Sequence, residues 1–308
     1  MTDPHLIADN TVITPRDRQR WLAQRNKSLG GSDAAVIAGI TGSRLKLWLE
    51  KTGKLEAKDE PNEAMQWGLL LEDDIAEMIE RRTSNAIART QVFRRHPDCP
   101  WLTATLDGVG LSQGEIYEFK ACGTGGHGAR LGDDGEIESL PEQWILQAHH
   151  QMLVARQTMV RFAVFGPDLA LRMYPLPFDE ELGDHLFELE QDFWFNHVVA
   201  NVPPAEFSHG DAAALTDAYR SMDDVWLVLG HDATRAAMNY QALGAQIRDL
   251  EARREAERAR LLLEIGNAAG ADLMDGWSVQ RKVIEVSSHT VKASSQVRLF
   301  IKEPKEPS

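Results

Sequence analysis

Only two of the 308 residues are cysteine, Cys99 and Cys122. Two thiols are too few for a disulfide framework or a four-thiolate cluster, and a reducing, cytoplasmic setting is the expectation. No apolar stretch approaches the roughly 20 residues of a membrane span. Met1 to Leu6 lacks the basic-then-apolar layout of a signal peptide, so neither export nor a membrane partner is expected. Positive charge is also scarce: 33 Lys and Arg face 47 Asp and Glu, a net charge of −14. That argues against a protein that coats nucleic acid through a general basic surface. Any nucleic-acid site would be local, confined to a channel or assembled between subunits. What is present is ordinary globular material, 43% hydrophobic and 26% charged, long enough for a large domain with an extension.

Residues 1–15 read as a polar lead-in, 16–209 as the core and 210–308 as a C-terminal extension. Helical signals run from Arg16 through Trp21. Ser32 or Asp33, after Gly30-Gly31, offers a cap for a helix starting at Ala34. Further helices are expected around Leu45–Leu49, from Ala64 to about Arg82, over Pro141–Val154 and over Asp179–Val199. Strand signals fall at Gln91–Arg94, Leu102–Leu106, Ile116–Lys120, Arg161–Phe165 and Leu171–Tyr174. The six glycines of 123–135 imply a flexible loop. Pro203-Pro204 marks a boundary. Ala236–Glu264 carries helical spacing, and the alternation across 277–301 implies a small β-hairpin. The last seven residues form a polar tail.

The chemistry concentrates where Asp107, at the end of one apolar segment, precedes Glu118-Phe119-Lys120 by eleven residues. Residues i and i+2 of a strand share a face, so Glu118 and Lys120 project together, and Asp107 can join them across the turn. Two carboxylates and an ammonium at one point are costly unless a cation or substrate uses them. A divalent metal activating water against a phosphate is the economical account, although acidic residues flank many strands. Glu72 follows Leu69-Leu70-Leu71, a run that implies a buried helix, and it lies one turn from Gly68. Arg25 and Ser32, seven residues apart around Gly30-Gly31, have the makings of a phosphate cradle at a helix start. On their own they read first as a surface arginine and an ordinary cap. Gln147 would face the site from the next helix. His149 and His150 are adjacent, so at most one of them can point at a given site.

Taken in order, these pieces resemble the YqaJ-like viral recombinase family, relatives of phage lambda exonuclease within the PD-(D/E)xK superfold. The matching segments are Arg25 with Gly30–Ala35, Leu47–Gly53, Asn62–Glu72, His96–Trp101, Thr103–Gly108, Glu118–Lys120 and Pro141–Met152. The resemblance spans roughly residues 16–205. It implies an α/β (α+β) fold, a central mixed β-sheet flanked by helices, with a C-terminal long helix and small hairpin. It also implies a 5′-to-3′ exonuclease acting on linear duplex DNA ends. On that analogy Asp107, Glu118, the Phe119 carbonyl and Glu72 hold Mg²⁺, as two ions, with Mn²⁺ as an alternative. Lys120 positions or deprotonates the attacking water, and Gln147 orients water or strand. Arg25 and Ser32 hold the 5′ phosphate, Met65 wedges the terminal base pair, and Arg130 adds a phosphate contact. A toroidal homotrimer and a single-strand annealing protein are the implied partners. His149 stands where the family commonly has glutamine, and the glycine-rich loop is unusually long. An endonuclease of the same fold and a non-catalytic DNA-end-binding protein are the alternative readings.

Overall fold

The computed structural model describes residues 7–14, 17–56, 63–112, 114–122, 130–131, 137–221 and 224–282. It divides into two compact units, Met1–Tyr219 and Arg220–Ser308. The first unit is built on a six-stranded mixed sheet. Its strands are β1 (Thr11–Val12), β2 (Ile87–Arg95), β3 (Thr103–Gly110), β4 (Ile116–Ala121), β7 (Met159–Phe165) and β8 (Leu171–Pro177), in the order β1-β2-β3-β4-β7-β8. Only the β4–β7 pair is parallel. Parallel neighbours need a crossover, and helix α5 (Glu142–Ala155) supplies it.

Alternation along the strands assigns the two faces. Ala104, Leu106, Ile116, Phe162 and Val164 pack with Trp144, Ala148 and Met152 of α5. Ile87, Tyr117, Phe119 and Ala163 pack on the opposite face with Ile75, Ala76 and Ile79 of α4 (Glu63–Thr83). On the α5 side, α1 (Arg18–Arg25) leads into α2 (Gly31–Ile37), which packs on both α3 (Arg44–Lys51) and α5, and α5 packs in turn on α6 (Glu180–Asp192). The last of these continues as a π-helical turn over Phe193–Val199. Local chemistry starts these helices. The Ser43 hydroxyl accepts from Lys46 N–H at 2.8 Å at the head of α3, and Asp179 accepts from Leu182 N–H at 3.1 Å at the head of α6.

Several expectations shift. The lead-in contains β1, which pairs with β2. Gly30, not Ser32 or Asp33, caps α2, because Asp33 sits at the third helical position and accepts Gly30 N–H at 2.9 Å. The first unit runs past 209 to Tyr219, because α7 (Asp211–Ala218) is tied into the core: Asp211 accepts from the Ser43 hydroxyl, and Ala214 is buried. The Leu69–Leu71 run does not mark burial: Leu69 and Leu70 are exposed, and the buried stripe of α4 begins at Ile75. Within the expected loop 123–135, β5 (Arg130–Leu131) pairs with β6 (Ile137–Ser139), and the remainder lies outside the described residues.

In the second unit, α8 spans His231–Ile265. A hairpin joins β9 (Gly270–Asp272) to β10 (Ser278–Gln280). Most of the hairpin expected across 277–301 falls in residues 283–308, which lie outside the described residues. Among the described residues no helix is long and apolar enough to cross a membrane.

Candidate active site

Strands β3 and β4 pair at Val109–Ile116 and Gly108–Tyr117. Next to the second pair the ladder gives way to a side chain: Phe119 N–H donates to Asp107 Oδ2 at 2.9 Å. Gly108 makes this approach possible, since a Cβ there would stand 2.8 Å from the Phe119 ring. The carboxylate of Asp107 is thereby fixed beside the next residues of β4. Glu118, buried at 1% exposure, and Lys120 leave that strand on the α5 face. Glu118 Oε1 accepts from Lys120 Nζ at 2.7 Å and from Gln147 Nε2 at 2.6 Å. Its Oε2 accepts from Gln151 Nε2 at 2.6 Å. Lys120 also donates to Gln147 Oε1 at 3.1 Å and lies 5.4 Å from the centre of the Trp144 ring.

Negative charge dominates this cluster. Burial and the neighbouring Glu118 and Asp73 carboxylates raise Glu72 to about 7, against a hydrogen bond from Gln91 and the pull of Lys120. Asp107 is held well above the usual carboxylate range by burial, Glu118 and Glu72. Burial works against the Lys120 ammonium, but Glu118 and Asp107 outweigh it and hold that group above its ordinary value. Three carboxylates that interact electrostatically and share one ammonium are a hard-oxygen donor set, which suits Mg²⁺ or Mn²⁺. The shell is not closed: no three His, Cys, Asp or Glu side chains among the described residues form a ready metal site. Glu118 has both oxygens occupied by Lys120, Gln147 and Gln151. The residues fit a hard dication in chemistry, and Glu118 must give up part of its hydrogen bonding to hold one.

Arg25 and Ser32 meet directly, with Arg25 Nη2 donating to the Ser32 hydroxyl at 2.8 Å. The guanidinium stands 5.4 Å from the centre of the Trp21 ring, and Trp21 Nε1 donates to the Thr105 hydroxyl at 2.9 Å. A cavity of about 100 Å³ opens there, lined among others by Arg25, Ser32, Gly30, Gly31, Gln147 and Gln151. The start of α2 sits hard against α5, since a Cβ on Gly31 would meet Gln147 Cγ at 3.2 Å. Gln147 and Gln151 therefore border the cavity while holding Glu118.

Neither histidine joins the cluster. His149 Nε2 accepts Asp179 N–H at 3.1 Å, and its Nδ1 donates to the Ile145 carbonyl at 2.8 Å. His150 is fully buried between Glu190, 2.7 Å from Nδ1, and the Thr103 carbonyl, 2.9 Å from Nε2. Phe119 enters through its amide, as described above. The roles expected of the Met65 and Arg130 side chains lie outside the described residues. Gln151, Gln91 and Trp21 were not expected here. Spacing carried a signal for two of them: Gln151 follows Gln147, and Trp21 precedes Arg25, by one helical turn. Gln91 has no periodic signal, because it sits in the irregularity of β2 between Arg89 and Val92.

Residues 20–158 match the model of the YqaJ-like viral recombinase domain. The segment is similar to that family. The chain is 32% identical over 204 residues to the uncharacterized protein YqaJ of Bacillus subtilis, covering 65% of this chain and 61% of that protein. It thus spans less than two thirds of that relative's length. Among solved structures, the alkaline exonuclease of Laribacter hongkongensis aligns with a TM-score of 0.49 at 18% identity, over 60% of this chain and 94% of that one. A phage-related exonuclease of Haemophilus somnus aligns with a TM-score of 0.42 at 13% identity, over 56% of this chain and 96% of that one.

Proposed function

We propose that the YqaJ-like segment is a metal-dependent deoxyribonuclease that removes nucleotides 5′-to-3′ from one strand at linear duplex DNA ends, exposing single strand for recombination. The observation that carries this reading is the double role of Gln147 and Gln151. They bond Glu118 on one side and border the Arg25–Ser32 cavity on the other. A strand end seated by Arg25 and Ser32 would therefore lie next to the hydrolytic carboxylates.

In this reading Asp107, Glu118 and Glu72 would hold Mg²⁺, as two ions, with the Phe119 carbonyl as a further ligand and Mn²⁺ as a substitute. A hard dication bound there supplies Lewis-acid charge and a water of lowered pKa. The protein's own groups do the rest. Lys120, kept protonated by Glu118 and Asp107, steadies the attacking water and the charge that develops on the phosphate, which suits it better than the role of base. Gln147 aligns Lys120 and Glu118 through its two ends. Arg25 and Ser32 bind the terminal 5′ phosphate through charge-assisted hydrogen bonds. Met65 as a wedge and Arg130 as a phosphate contact belong to the same proposal. So do a toroidal homotrimer, which would confine basic groups to a channel within an acidic protein, a single-strand annealing partner and a cytoplasmic setting.

The test is digestion of end-labelled linear duplex, with and without Mg²⁺ and with 5′-phosphate or 5′-hydroxyl ends, beside a closed circle. Release of 5′ label from linear DNA only, in Mg²⁺ only, is expected. Cutting of the circle would favour an endonuclease, and binding without cleavage a non-catalytic end-binding protein.

A further inference from the structure

Lys51 closes α3, and its side chain is 3% exposed. Its Nζ donates to Asp33 Oδ2 at 2.6 Å, to the Arg25 carbonyl at 2.8 Å and to the Ser28 carbonyl at 2.7 Å. An ammonium has three N–H donors, and each has its acceptor. None is left over for a ligand, so Lys51 is not itself a phosphate-binding group. Arg25 ends α1, and its carbonyl is one of those a helix leaves without an internal partner. At the other end of the turn the orphan amide of Gly30, ahead of α2, donates to Asp33 Oδ2 at 2.9 Å. Two carbonyls and one amide that backbone geometry leaves unpaired thus converge on one buried ion pair.

The rest of the turn is fastened to the sheet. Leu29 N–H donates to the Trp101 carbonyl at 2.7 Å, and Thr103 N–H to the Leu29 carbonyl at 2.8 Å. The Ser28 hydroxyl donates to the Gln24 carbonyl at 2.9 Å and lies 2.8 Å from the Thr103 hydroxyl. One freedom would remain, the separation of the end of α1 from the start of α2. That separation decides whether Arg25 reaches Ser32.

We infer that Lys51 and Asp33 are positioning residues, whose ion pair holds Arg25 and Ser32 at the spacing that gives the site its preference for a terminal phosphate. This rests on the reading of the Arg25–Ser32 cavity as a phosphate cradle. Geometry, not charge alone, is the requirement: a planar guanidinium cannot aim its donors at two carbonyls and a carboxylate gathered round one point.

The experiment compares the full-length wild type with Lys51→Arg and Asp33→Asn. Initial rates in Mg²⁺ are measured on duplexes ending in 5′ phosphate or 5′ hydroxyl, across a range of end concentrations. Thermal melting and fluorescence-anisotropy binding of the same duplexes accompany them. Lys51→Arg is expected to raise KM for phosphorylated ends by about tenfold, with kcat changed by less than about twofold. Its preference between end types should fall by the same factor, while hydroxyl ends are handled as before. Asp33→Asn, which keeps an acceptor for Gly30 but loses the charge, should move the same way by less. Folded variants that keep the wild-type preference, or lose kcat equally on both ends, overturn the inference. If Lys51→Arg does not fold, Asp33→Asn decides alone. A wild type with no phosphate preference in rate or binding removes the cradle and the inference together. The wild-type arm therefore separates the two failures.

Discussion

Gln151 donates to Glu118 Oε2 at 2.6 Å, while its own Oε1 is buried with no hydrogen-bond partner among the described residues. A buried amide oxygen left unpaired costs about 1–3 kcal/mol. The donor end of the amide, by contrast, answers one of the two oxygens of a carboxylate that is itself 1% exposed. Replacing Gln151 by Leu removes the orphan oxygen along with the donor. The two changes oppose each other, so urea unfolding should shift by no more than about 1 kcal/mol. Turnover of duplex ends should nonetheless fall about 10–100-fold, as is typical when an outer partner of a metal-binding group is lost. A large stability loss with unchanged turnover would make the amide a core support and nothing more.

Glu72 contributes a pH dependence to the unliganded protein. Its ordinary value of 4.5 rises to about 7, chiefly through burial and then the Glu118 charge. Because the folded value is the higher one, the contribution of this group is fully present below about 4.5 and is lost as pH rises through about 7. In chelator, the wild type should therefore lose stability relative to Glu72→Gln across that window. The difference should reach on the order of 2 kcal/mol, after allowance for the solvent that reaches the group. Added Mg²⁺ should narrow the difference, because binding to the native state stabilises it. Urea melts between pH 4.5 and 8.5 test this. Parallel curves for the two proteins would mean that Glu72 does not share the field of Glu118.

Much of this arrangement is legible in the amino-acid sequence. Period-two alternation placed Glu118 and Lys120 on one face, and helical spacing located α4, α5 and the long α8. What stayed hidden was hidden for physical reasons. The three leucines ahead of Glu72 read as a core segment, yet Leu69 and Leu70 face outward, because the buried stripe of α4 is set further along by Ile75, Ala76 and Ile79. The histidine pair could not be resolved from the chain. His150 is claimed by Glu190 and the Thr103 carbonyl, both more than 35 residues away in sequence. The Lys51–Asp33 pair joins two helices across a buried turn, and residue spacing does not encode such a contact.

Lys120 touches both Glu118 and Gln147, and electrostatically it also answers Asp107. Lys120→Ala should abolish cleavage while leaving the affinity for duplex ends within about threefold, since the loss falls on the transition state and not on ground-state binding. Comparing single-turnover cleavage with end-binding titrations separates the two. Cleavage near the wild-type rate would remove Lys120 from the chemistry. Equal loss of binding and rate would make it a DNA contact.

Arg25 is held by Trp21 on one side and by the Ser32 hydroxyl on the other, with no carboxylate hydrogen-bonded to its guanidinium among the described residues. That leaves charge for an incoming anion, and a bidentate guanidinium–phosphate contact is among the stronger polar interactions a protein makes. Arg25→Ala should erase the ratio of rates on 5′-phosphorylated over 5′-hydroxyl ends, losing about 1.5–3 kcal/mol on the phosphorylated substrate and little on the other. The readout is that ratio at subsaturating ends, where it reports kcat/KM. Arg25→Lys should recover only part of it, because a point charge cannot make both hydrogen bonds or stack on Trp21 in the same way. An unchanged ratio in Arg25→Ala would show that the guanidinium does not meet the terminal phosphate, whatever else the cavity binds.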